Sequence, residues 1–288
     1  MEVVQNLLSK LKSLRVLSFR GIYKIEFPDS IGELKHLCYL DFSKTEIVIL
    51  PEFVTKLYNL ETLKLEDCNH LQTLPRDMHH LINLRHLIIS GKKLVEMPSQ
   101  ISKLTNLQIL TTFVAGKDSG AKIEELAKLH SLHGELSIKK LENVANITKE
   151  LDQVGVLGKN HLEKLRLEWS VNDAVVDPKH GEGVLEMLSP NRTLKELEII
   201  YYPGKIFPKW VGNDSFSNIA EVTLNGCKHC SYLPPFGQLP LLKDLSISSC
   251  NSIVTVGAEF YGNSSERKPF LSLETLRFSN MSSWEKWH

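Results

Sequence analysis

The stretch LETLKL, residues 60–65, recurs as LRVLSF (14–19), LCYLDF (37–42), LRHLII (84–89) and LQILTT (107–112). The leading leucines, Leu14, Leu37, Leu60, Leu84 and Leu107, are 23, 23, 24 and 23 residues apart. In L-x-L the side chains alternate, so two apolar groups point one way and the residue between them points the other. One such short strand cannot bury its apolar face alone. Stacked in parallel, many of them share a continuous core, and stability becomes nearly a sum of neighbour contributions. A second ladder runs in phase with the first: Pro28, Pro51, Pro75 and Pro98, preceded by Phe, Leu, Leu and Met. Proline offers no N–H and fixes its φ, which suits an irregular outer strip better than a long helix.

The pattern continues less regularly. Leu132 opens LHGELSI, with one extra residue, and LEKLRL (162–167), LKELEI (194–199), IAEVTL (219–224), LKDLSI (242–247) and LETLRF (273–278) follow, making eleven units. L-x-x-L-x-L-x-x-[C/T] is the leucine-rich-repeat signature. The expected fold is an α/β repeat solenoid, a horseshoe with a parallel β-sheet on its concave face and an irregular or short-helical convex side. The expected organisation is a single domain over 1–288, regular over 1–113 and irregular over 114–288, with insertions near 141–161 and 170–191. The first insertion has helical periodicity at Ile147, Leu151, Val154 and Leu157. The second reads as a polar loop (170–182) followed by a short helical stretch. Neither end carries a polar capping unit, so the chain is expected to be a piece of a longer protein or a truncated product.

Bulk chemistry excludes several classes. With 34 basic and 34 acidic side chains the formal net charge is zero, which argues against nucleic acid as a partner. No apolar run is long enough to span a membrane. Lys10, Lys12 and Arg15 interrupt any secretory signal, and five cysteines fit a reducing compartment, hence a cytoplasmic location. GCKHC (226–230) looks like half of a zinc site. Yet Cys227 shares its place, three residues after the last strand apolar, with Thr45, Cys68 and Cys250. A small side chain there is expected to turn inward onto loop backbone, leaving Cys230 a bystander; without a second Cys-x-x-Cys no metal site is expected. No nucleophile–base constellation supports an enzyme. His79 and His80 read as solvated, and Asn-x-Ser/Thr at Asn146, Asn191, Asn213, Asn263 and Asn280 as chance matches.

YYPGKIFPKWVG (201–212), LPPFGQLPLLKDLSI (233–247) and SIVTVGAEFYG (252–262) are more distinctive than the leucine frame. With FPDSIGELKHLCYLDFSKTEI (27–47), LPRDMHHLINLRHL (74–87), LHGELSIKKLENV (132–144) and LEKLRLEW (162–169), the chain resembles the leucine-rich-repeat domain of plant intracellular nucleotide-binding disease-resistance proteins of the coiled-coil class. That resemblance implies an immune-receptor module that restrains a nucleotide-binding switch and senses effectors. The implied partners are proteins: the receptor's own switch domain, a pathogen effector or a guarded host protein. No cofactor is carried over, because GKK (91–93), GKD (116–118) and GKN (158–160) lack the rest of a phosphate loop. The alternatives are a free-standing or truncated scaffold or decoy and, less well matched, a cell-surface receptor ectodomain, which would show a signal peptide and cysteine-paired caps.

Residues facing outward from the strands are the candidate partner-binding positions: Tyr39, Asp41, Lys64, Glu66, His86, Lys139, Lys164, Arg166, Glu168, Trp169, Glu196, Glu198, Tyr201 and Arg277. Arg166, Trp169, Tyr201 and Trp210 form the best contact candidate, because exposed aromatics with arginine dominate interface energetics; the favoured alternative is that Trp169 and Trp210 pack over the ends of coils.

Overall fold

The computed structural model describes residues 10–23, 26–117, 119–145, 155–171, 177–262 and 268–288. They fall in two compact units, Met1–Leu136 and Ser137–His288. The periodic positions Ile147, Leu151 and Val154, the acceptor-like Asn146 and Asn263, and residues 172–176 of the polar loop lie outside the described residues.

In the first unit β1 (Val16–Ser18), β2 (Tyr39–Asp41), β3 (Thr62–Leu65), β4 (His86–Ile89) and β5 (Ile109–Leu110) form one sheet in chain order. All pair in parallel, with Val16, Tyr39, Thr62, His86 and Ile109 in one row. A short β6 (Thr112–Val114) follows, then β7 (His133–Lys139), which runs into the second unit. There β8 (His161–Glu168), β9 (Glu196–Ile200), β10 (Glu221–Asn225), β11 (Asp244–Ser248) and β13 (Thr275–Ser279) pair in parallel, with Lys164, Glu196, Glu221, Asp244 and Thr275 in one row. β12 (Thr255–Val256) pairs with β14 (Lys286–Trp287) off this ladder. Each of the eleven sequence units therefore supplies one ladder strand, and the leucine-rich-repeat fold expected from the spacing is the one observed.

Packing explains the spacing. Leu37, Leu40, Leu60, Leu63, Leu84 and Leu87 are wholly buried, as are Leu165, Leu245 and Ile247. On the return path Pro28 and Pro51 stand extended before five-residue 3-10 turns, Asp29–Glu33 and Glu52–Lys56, and their carbonyls accept the N–H of Ile31 and Val54. A 3-10 turn advances farther per residue than an α-helix, so a short coil can cross the outer side and return in phase. Leu34, Leu57, Leu81, Leu104 and Leu129 close these turns, and each carbonyl accepts the N–H of the next leading leucine.

Two further ladders were not apparent from the leucines. The chain leaves the sheet through a left-handed residue seven positions after the leading leucine: Gly21, Lys44, Asp67, Gly91, Tyr201, Gly226, Ser249 and Asn280. Lys140 does the same one position later, in the coil with the extra residue. That extra residue is absorbed at Gly134, φ 77°, inside β7, a left-handed position that glycine occupies without steric cost. The second ladder precedes the strands. Asn59, Asn83, Asn106 and Asn218 donate from Nδ2 to Lys35, Tyr58, Ile82 and Arg192 carbonyls of the preceding coil at 2.8 to 2.9 Å. Thr193 and Ser272 place hydroxyl donors there instead.

The helix in the second insertion, α1 (Pro178–Met187), starts earlier than the polar-loop reading to 182 allowed. Asp177 accepts the Lys179 N–H at 3.1 Å and Pro178 takes the first helical position, a favourable start for both residue types. Its own Val184 and Leu185, and Leu188 just past its end, are buried.

Replacing Leu197, buried in β9, by Ala is expected to remove about 3 kcal/mol. Asn83→Ala, which deletes one hydrogen bond, should remove about 1 kcal/mol. Urea unfolding of both variants should preserve that order; equal losses would contradict the assigned roles.

Candidate protein-interaction surface

Because neighbouring strands are parallel and in register, outward residues line up across a sheet. In the second unit this places opposite charges side by side. Lys164 Nζ lies 2.7 Å from Glu196 and 3.5 Å from Glu198. Arg166 reaches Glu198 at 2.7 Å through Nη1 and Glu168 at 3.1 Å through Nε. The hydrogen bond to Glu196 raises the Lys164 pKa, and although burial disfavours the Arg166 charge, Glu168 and Glu198 outweigh it. These half-exposed pairs add little stability in water. Their effect is to hold long side chains in one arrangement on the strand face. Farther along, Arg277 lies 3.9 Å from Asp244, while Glu221 is exposed with no ion pair among the described residues. Lys139, in β7, is half-buried.

The first unit carries a less charged face. Tyr39 and Lys64 are half-exposed, Glu66 pairs with Arg20 at 3.4 Å, and Thr62 Oγ1 meets His86 Nδ1 at 3.0 Å. Burial, followed by the neighbouring His133 and Arg85, lowers the His86 pKa.

Three expected contact residues are corrected. Asp41 is only 4 % exposed; its carboxylate accepts the Ser43 N–H at 2.8 Å and faces Ser18, so it shapes the strand exit. Trp169 and Trp210 are 2 % and 7 % exposed. Trp169 packs edge-on against Tyr202, and Trp210 donates from Nε1 to the Leu185 carbonyl at the end of α1. Tyr201 is half-buried in the left-handed exit position, its ring lying where a Cβ on Gly226 would be. The candidate cluster of Arg166 with exposed aromatics therefore does not form, and the packing alternative holds: Trp169 packs on Tyr202 and Trp210 fastens α1. Sequence alone could not separate the two roles, because a tryptophan just after a strand serves either.

The cysteine ladder is as the spacing indicated. Cys68 donates to the Phe42 carbonyl at 3.1 Å, and Cys227 points at the equivalent Ile199 carbonyl at 3.9 Å. Cys230 is no bystander: it is fully buried and donates to the Gly204 carbonyl at 3.1 Å. Among the described residues no group of His, Cys, Asp or Glu is arranged to hold a metal ion. Carboxylates on the outer coils, unremarked in the sequence, act as backbone acceptors: Glu125 takes the N–H groups of Gln100 and Ser102, and Glu142 that of Ser170.

Comparison with known proteins agrees with this geometry. A family described as R13L1/DRL21 LRRs matches residues 123–250. The Arabidopsis thaliana disease resistance protein At3g14460 is 44 % identical over 99 % of this chain. Over almost its whole length the chain is similar to the leucine-rich-repeat region of plant disease-resistance proteins. Disease resistance RPP13-like protein 1 of Arabidopsis thaliana is 38 % identical, again over 99 % of the chain. This repeat region spans 21 % and 28 % of the lengths of those two relatives. Among solved structures, the plant peptide hormone receptor RGFR1, determined in complex with RGF2, is similar in fold at a TM-score of 0.50, with 19 % identity, covering 96 % of this chain and 48 % of that one. Among the described residues no helix is long and apolar enough to cross a membrane.

Two solution measurements follow for the repeat region. Because burial lowers the His86 pKa, the folded state binds fewer protons there than the unfolded state. His86 thus favours folding fully above the ordinary histidine pKa of about 6.5, and that contribution falls as pH drops through 6.5 toward the lowered folded value. Proton NMR should give a His86 midpoint below 6.5; a midpoint above it would contradict the burial. Cys38 alone is partly exposed, whereas Cys68, Cys227, Cys230 and Cys250 are buried. A thiol reagent should therefore label Cys38 in the folded protein and the others only after unfolding.

Proposed function

We propose that this region is the protein-recognition and autoinhibitory part of a cytoplasmic plant immune receptor. Its strand face would contact the receptor's nucleotide-binding switch domain at rest and an effector, or a modified host protein, on challenge. The observation that carries this reading is the Lys164–Glu196–Glu198–Arg166–Glu168 network, an ordered set of charges on a strand face. Half-exposed pairs of this kind contribute more to partner choice and encounter rate than to folding. The similarity of the whole chain to disease-resistance proteins supplies the biological setting. Activation then requires a ligand that prefers the released state over the restrained one. No catalytic role is included in this reading.

Lys164→Glu and Arg166→Glu, made together in the repeat region, should weaken its association with the switch domain by about tenfold or more. Calorimetric titration of the separately purified partners would measure it. Unchanged affinity for both the switch domain and a recognised effector would remove these residues from the interface.

A further inference from the structure

Two of the three distinctive sequence phrases meet at one place in the second unit. YYPGKIFPKWVG and the LPPFGQ phrase follow β9 and β10, and their residues line a groove of about 390 Å³. Ile206 and Tyr232 stand at its mouth, each 67 % exposed, the highest value of any large apolar residue described. Phe207 and Pro235 line it, and Lys205 and Lys209 lie at its edge. No carboxylate lines it.

The groove is built, not slack. Ile206 is fixed at both backbone groups: its carbonyl accepts the Tyr202 hydroxyl at 2.7 Å, and its N–H points to Glu182 of α1 at 3.3 Å. The Lys205 N–H meets the same Glu182 oxygen at 3.0 Å. Cys230, from the next coil, donates to Gly204, where the Tyr202 ring leaves no space for a Cβ. Gly212, φ 85°, lets the chain pass against Pro234 and Pro235. These clamps hold an isoleucine toward water that the loop could otherwise turn inward. Rigid walls of this kind lower the ordering cost of binding.

Charge adds to this. Lys164, Lys195 and Lys243 of this unit are each engaged by a glutamate. Lys205 and Lys209 are exposed and have no ion pair among the described residues. Proline at the wall removes backbone donors, so selectivity falls to apolar contact and to the two ammonium groups. We propose that this groove docks an extended protein segment carrying a large apolar side chain next to a carboxylate. The apolar group would seat between Ile206 and Tyr232, with the carboxylate at Lys205 and Lys209. The groove lies off the strand face, so this site and the charge network above can fail independently.

The test is selection of a random phage-displayed peptide library on the whole purified chain. The affinity of the best synthetic peptide would then be measured by fluorescence anisotropy against the unaltered protein, Ile206→Asp, the Lys205→Glu/Lys209→Glu pair and Lys164→Glu. The altered positions are exposed, and circular dichroism would verify that each variant is folded. The proposal expects enrichment of Asp or Glu beside Leu, Ile, Phe or Trp. It expects at least about tenfold weaker binding in both groove variants and no change in Lys164→Glu. It is overturned if no peptide is enriched, if the enriched peptides lack carboxylates, or if binding is insensitive to the groove variants. Loss of binding in Lys164→Glu alone would assign the peptide to the strand face, and full competition by inorganic phosphate would reduce the groove to an anion site; either result also overturns it.

Discussion

Parallel strands in register, about 4.8 Å apart, impose one constraint on everything else in this protein. Each residue of a coil lies beside the residue at the same place in the next coil. Inward positions must therefore be filled by side chains that pack on copies of themselves, which is why Leu37, Leu60 and Leu84 recur and are wholly buried. The same constraint orders the opposite face. Lys164 meets Glu196 and Arg166 meets Glu198 because register puts them in one row.

A coil this short must leave the sheet, turn and return without a long helix to satisfy its backbone. The solution is distributed. Left-handed residues such as Lys44 and Ser249 turn the chain out of the strand, and their N–H groups still bond to the neighbouring coil, at the Glu66 and Ser279 carbonyls. Asparagine amides, serine and threonine hydroxyls and glutamate carboxylates serve the remaining backbone groups. Buried backbone polar groups are almost always paired in this way, and here the partners come from one coil away.

The inward frame was legible because burial selects residue type strongly and the period is nearly constant; the cysteine ladder followed from the same phase. The turns were less legible. Gly91 and Gly226 announce left-handed backbone, but Lys44 and Tyr201 hold it through the hydrogen bonds of the neighbouring coil, which no local preference reveals. The start of α1 was encoded in Asp177–Pro178 and was hidden by the polar residues around it. The candidate face was half legible. Charges at Lys164, Arg166 and Glu198 could be placed by counting from leucines, whereas the fate of Trp169 depended on Tyr202 and that of Trp210 on α1, whose position no strand pattern specifies.

The row that holds Lys64 and Ile88 in the first unit corresponds, coil by coil, to Arg166, Glu198, Thr223 and Ser246 in the second. Two bases, an aliphatic group, an acid and two hydroxyls thus occupy one architectural place, while the inward neighbours stay apolar. Because the register is held by the backbone and the inward residues, a change at any of these outward places rewrites the chemistry of the face without disturbing the ladder that displays it.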